Sequence, residues 1–127
     1  MIRIISFGYG HAPAPDAVAT YDLRELFYNP FHNPELKHLT GLDEAVYEHV
    51  LATRGVEPLA QVAAYLAVNL HDTARGGDIT IAYGCIGGRH RSVGLARRTQ
   101  EIVRLTGRET AIVHRDVDKP LLPASAH

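Results

Sequence analysis

The chain has no tryptophan, one cysteine and one methionine among its 127 residues. A single cysteine excludes an intramolecular disulfide, and a free thiol suits a reducing compartment better than an oxidising one. No apolar run approaches the roughly 20 residues that a membrane span needs. The opening "MIRIISFGYG" is too short, and too soon broken by glycine, to serve as a secretory signal. These absences predict a cytoplasmic protein with no membrane partner. No G-x-x-x-x-G-K-[ST] occurs either, which excludes ATP or GTP binding through a Walker A loop. The eight histidines (11, 32, 38, 49, 71, 90, 114 and 127) include no pair at i, i+4 spacing, so no metal site is expected. Net charge is −1, which excludes a uniformly basic nucleic-acid binder.

What is present suits one α/β domain. Apolar content is 46% and charged content 21%, ordinary for a globular chain of this length. "IRIISF" (2–7), "AVATYDL" (17–23), "ITIAYG" (79–84) and "TAIVH" (110–114) read as strands, about four in a parallel or mixed sheet. Helical spacing recurs in three segments. The first carries Leu42, Val46, Tyr47, Val50 and Leu51 behind "TGLD", which has the spacing of a capping box. The second, 56–72, has Leu59, Val62, Ala63, Leu66 and Leu70 along one side. The third runs from Arg91 to about Leu105, with Gly107 as its stop. Two Asn-Pro pairs make 27–36 irregular. The domain is expected over 1–118, with 119–127 a loose C-terminal tail rich in proline and small residues.

"YGCIGGRHRS" (83–92) joins the strongest strand to the third helix. A strand–loop–helix junction in an α/β sheet is where anions bind, because a helix N-terminus has unpaired N–H groups and partial positive charge. Gly84, Gly87 and Gly88 let the backbone wrap closely around a phosphate. Arg91 adds a bidentate fork and Ser92 a hydroxyl, with His90 beside them. Charge is concentrated here: residues 85–115 hold seven arginines and two glutamates, the remainder six basic and twelve acidic residues. An anionic ligand at 84–92 is therefore expected, with His11, His90 and His114 as further donors. The spacing Cys85-x5-Arg91-Ser92 also resembles the signature loop of cysteine-dependent phosphatases, in which a low-pKa thiol attacks phosphorus. Those enzymes usually have histidine before the cysteine, where this chain has Gly84. In that enzyme reading Cys85, Arg91 and an acid, Asp22 or Asp43, are the catalytic residues.

Five blocks extend the comparison: "SFGYGHAPAPDA", "YDLRELFYNP", "LKHLTGLDEAV", "IAYGCIGGRHRS" and "HRD", in this order. Together they resemble the C-terminal domain of the RNase adapter protein RapZ family over residues 5–116. Ile86 stands where the family usually has threonine, which removes a hydroxyl from the loop. The resemblance implies a domain that senses glucosamine-6-phosphate, binds small regulatory RNA and presents it to ribonuclease E. It implies a hexosamine-phosphate pocket using Gly87, Gly88, His90, Arg91 and Ser92, faced by His11 and Arg24. It also implies a protein partner, a homo-oligomer and no cofactor. Longer relatives add an N-terminal nucleotide-binding domain with a Walker A loop, and RNA-binding relatives end in a basic tail. Here Arg115 and Lys119 are set against Asp116 and Asp118, which argues against strong RNA binding. Any RNA surface falls to Arg97, Arg98, Arg104 and Arg115. The expectation is a metabolite-sensing regulatory module, with the phosphatase and a plain RNA adapter as alternatives.

Overall fold

A computed structural model describes all 127 residues. Four strands, β1 (Ile2–Gly8), β2 (Ala19–Asp22), β3 (Ile79–Cys85) and β4 (Thr110–His114), form one sheet in the order β2-β3-β1-β4. Every neighbouring pair is parallel. A strand–helix–strand unit spans 79–114, and β1 lies between its two strands and pairs with both.

Alternation along β1 and β3 sends Ile2, Ile4, Ile81, Tyr83 and Cys85 into one buried cluster with the three helices. These are α1 (Glu44–Ala52), α2 (Val56–Thr73) and α3 (Arg91–Leu105). Helix α2 buries Val56, Ala60, Ala63, Ala64 and Ala67, and Val62 is 62% exposed. The larger leucines expected at the centre of its apolar face flank an alanine seam instead. Small side chains on that seam allow closer approach to neighbouring elements. The "TGLD" pattern is half a capping box. Asp43 Oδ2 accepts the Thr40 N–H at 2.8 Å, but the Thr40 hydroxyl takes the Leu42 N–H. The helix therefore begins one residue after Asp43, and Leu42 lies outside it, exposed. Gly107, at φ +84°, follows the last turn of α3 as its stop.

Because the strands are parallel, all four carboxyl ends lie at one edge of the sheet. Register places Gly8 opposite Cys85, Asp22 opposite Gly84 and Ser6 opposite His114. The segments after β1, β2, β3 and β4 therefore meet there, as α/β topology requires. Residues 119–127, expected to be loose, return to this edge: Ala124–Ala126 form a 3-10 turn and the His127 ring stacks on Phe31 at 3.8 Å. Composition cannot register an aromatic partner nearly a hundred residues away. No helix is long and apolar enough to cross a membrane.

Candidate functional site

A polar cavity of about 390 Å³ opens at this edge. Arg24, Phe27 and Asn29 line it from the segment after β2, Ile86 and Arg91 from the β3–α3 connection, and His127 from the tail. Arg91 organises the wall. Its side chain is in the first turn of α3 and only 3% exposed. Nη1 donates to the carbonyls of Leu23 at 2.9 Å and Leu26 at 3.0 Å. Those bonds fold 23–27 around the guanidinium and hold Phe27 at φ +65°, a conformation that costs a non-glycine residue energy.

No carboxylate lies within ion-pair distance of Arg91, whereas Arg24, Arg97, Arg98, Arg108 and Arg115 each have one. Burial alone lowers its pKa, with only distant compensation from Cys85, Glu25 and Asp22. Its Nε is buried without a partner, and Nη2 makes no hydrogen bond within the chain. The Nε–Nη2 edge is the edge that grips a carboxylate or phosphate bidentately. Arg24 lies across the cavity mouth, exposed. It forks onto Asp22 at 2.7–3.2 Å and covers the Tyr9 ring at 3.8 Å. That hydrogen bonding keeps the Asp22 carboxyl below its ordinary range.

Other predicted residues have different neighbours. His90 is buried, with Nε2 2.9 Å from the Leu39 carbonyl. Burial pushes its pKa down to about 4, so it is a neutral donor turned away from the cavity. His114 bonds the Ser6 hydroxyl at 2.6 Å, and His11 follows β1 with an unpartnered Nε2. Neither is part of the cavity lining, so the three histidines do not converge. At Gly88, φ is +69° and an added Cβ would lie 2.6 Å from the Gly8 nitrogen. The bare backbone there serves close packing of β1 against the loop. Gly87 lies under His127, with 3.7 Å between an added Cβ and the imidazole Cε1. Ser92 is fully buried and accepts from the Cys85 thiol at 3.1 Å; the thiol is 3% exposed. Asp43 is committed to its Thr40 contact.

The arginines assigned to RNA are mostly engaged. Arg97 covers the Tyr47 ring and pairs with Glu44, Arg98 pairs with Glu57 and Glu101, and Arg115 pairs with the buried Asp116. Arg104 is exposed and only bonds Thr110.

Sequence reasoning missed Phe27, Asn29 and His127. The two Asn-Pro pairs marked their segment as irregular but gave no direction for its side chains. Nothing in the tail's composition pointed to His127.

Fold and cavity define an α/β domain that gathers polar groups from three chain segments at the carboxyl edge of a parallel sheet. The family model for the RapZ C-terminal domain matches residues 1–118, and the chain belongs to that family. It is 40% identical over 120 residues to a nucleotide-binding protein of Thermobifida fusca, covering 92% of this chain and 40% of that one. A nucleotide-binding protein of Symbiobacterium thermophilum is 38% identical over 122 residues, covering 94% and 40%. One from Caldicellulosiruptor saccharolyticus is 34% identical over 125 residues, covering 95% and 42%. The chain thus spans about 40% of the length of these curated relatives.

Proposed function

We propose that this domain is a regulatory module that binds a small phosphorylated sugar, with an amino-sugar phosphate such as glucosamine-6-phosphate the first candidate. One observation carries the reading: a buried guanidinium that lines a polar cavity has no acidic partner and leaves its Nε without a hydrogen-bond acceptor. Leaving a charge in that state is costly unless a ligand completes it. Helix α3 adds to this, because no side chain caps its N-terminus and Arg91 is its first residue. Arg24 would hold the phosphate or a sugar hydroxyl at the mouth, and the cavity has room for a hexose. The relatives' name, nucleotide-binding protein, makes a nucleoside phosphate the natural competitor. Without a Walker A loop such a ligand would need this same cavity. The commitment of the Cys85 thiol to Ser92, almost out of solvent, supports a structural role for it.

The test is calorimetric titration with glucosamine-6-phosphate, glucosamine, inorganic phosphate and ATP, with free phosphate assayed in the same samples. Arg24→Ala and Arg91→Lys accompany the parent protein, since Arg24 is exposed and lysine preserves charge at 91. Binding of the sugar phosphate that both variants weaken, without phosphate release, supports the sensor. Phosphate release that ends in Cys85→Ser would replace it with the phosphatase. Tighter binding of ATP than of any sugar phosphate would reassign the ligand class.

A further inference from the structure

His127 lies outside the stretch matched by the family model, yet it forms one wall of the cavity. Three contacts define its chemistry. Asn29 Oδ1 accepts the Phe31 N–H at 3.1 Å, which fixes the orientation of the Asn29 amide. The Asn29 Nδ2 therefore faces His127 Nδ1, at 3.1 Å, and must donate to it. A neutral imidazole that accepts at Nδ1 carries its proton at Nε2. That Nε2 is buried and has no partner. Meanwhile the ring is held flat on the buried Phe31, 3.8 Å between centroids and 11° between planes. Burial, and next the positive charge of Arg91, lower the pKa of this ring and keep it neutral.

Two residues that line one cavity thus each carry a buried donor without a partner, Nε on Arg91 and Nε2 on His127. A buried N–H without an acceptor is uncommon in folded proteins, and two at one cavity call for an acceptor-rich guest. We infer that His127 is a ligand-binding residue whose Nε2–H donates to an anionic oxygen held by Arg91, so that residues 119–127 form part of the site. This inference rests on the cavity being the anion site. It adds that the tail contributes a directional hydrogen bond as well as covering surface. A sugar phosphate, with several acceptor oxygens on one centre, could engage both donors at once.

The experiment uses the full chain and two probes, glucosamine-6-phosphate and inorganic phosphate, titrated calorimetrically. His127→Ala removes ring and donor; His127→Phe keeps the stack on Phe31 and removes only the donor; Arg91→Lys reports on the cavity itself. Loss of about tenfold in affinity in both His127 variants is expected for one hydrogen bond to a charged acceptor. Full affinity in His127→Phe with loss in His127→Ala would mean that the ring only packs, and would overturn the inference. Full affinity in both, with loss in Arg91→Lys, would also overturn it and leave the cavity reading standing. No binding by the parent protein would overturn both.

Discussion

Asp22→Asn isolates the competition at the cavity mouth. Asp22 is the anion that Arg24 holds: Oδ1 takes the Nε–H at 3.0 Å and Oδ2 takes an Nη2–H at 2.7 Å. A bound phosphate must displace this carboxylate or share the guanidinium with it. Asparagine keeps the shape and keeps the Oδ1 acceptor for the Arg24 backbone N–H, now at 3.0 Å, but it removes the negative charge. Both side chains are about half exposed, 41% and 46%. Such pairs are worth up to about 1 kcal/mol, so freeing Arg24 should raise sugar-phosphate affinity by a factor of up to ~5. Relief of direct repulsion between Asp22 and the phosphate acts in the same direction. Titration at low and high ionic strength is the assay, because the gain should shrink as salt screens it. Thermal stability should barely change, since the lost pair is a surface one. A weaker sugar-phosphate complex in Asp22→Asn would refute the reasoning. It would show Asp22 itself contacting the ligand, as a carboxylate that binds sugar hydroxyls does.

Two predictions concern the frame of the site. Burial holds the His90 imidazole at about 4, while an unfolded histidine titrates near 6.5, so the unfolded chain binds the proton first. Stability is therefore full above about pH 6.5 and falls toward pH 4, by up to about 3 kcal/mol from this group. Urea unfolding across that range, with His90→Gln as reference, checks this; the same pH slope in both proteins would contradict it. Gly88→Ala should cost more than about 2 kcal/mol, because the new Cβ meets backbone at 2.6 Å in a left-handed conformation. Gly76→Ala, also at positive φ but with nothing within 4 Å, should cost less than half as much in the same thermal melts.

Strands and helices were legible because their signals are local. "ITIAYG" is apolar, β-branched and bounded by glycines, and it forms β3 within one residue of its expected end. The face of α2 was misjudged because periodicity rewards large apolar residues, whereas close packing selected its alanines. At the site, sequence pointed to the junction and to Arg91 but misplaced its neighbours. His90 and Gly88 sit in the same motif as Arg91, yet the first turns to the Leu39 carbonyl and the second to Gly8. A motif gives membership of a loop; side-chain direction comes from partners elsewhere in the chain. His127 shows the converse, a residue with no motif brought in by an aromatic stack on Phe31 and a hydrogen bond from Asn29.

The charge asymmetry of residues 85–115 deserves a narrower meaning than its count suggests. Four of those seven arginines, Arg97, Arg98, Arg108 and Arg115, pair with Glu44, Glu57, Asp72 and Asp116 respectively, all four from outside the segment. A local excess of positive charge is thus largely neutralised by tertiary structure, and it cannot by itself signal RNA or any other polyanion. Arg89 donates from Nη1 and Nη2 to the carbonyls of Lys119 and His38, tying the loops together, and leaves its Nε unpartnered away from the cavity lining. Arg104 is on the surface, where water serves it. Only Arg91 combines burial, lack of an acidic partner and a place at the cavity. A solvated arginine needs no counter-charge and a paired one already has it. Arg91 is neither, and its place at the cavity makes it the residue at which the proposed ligand is tested first.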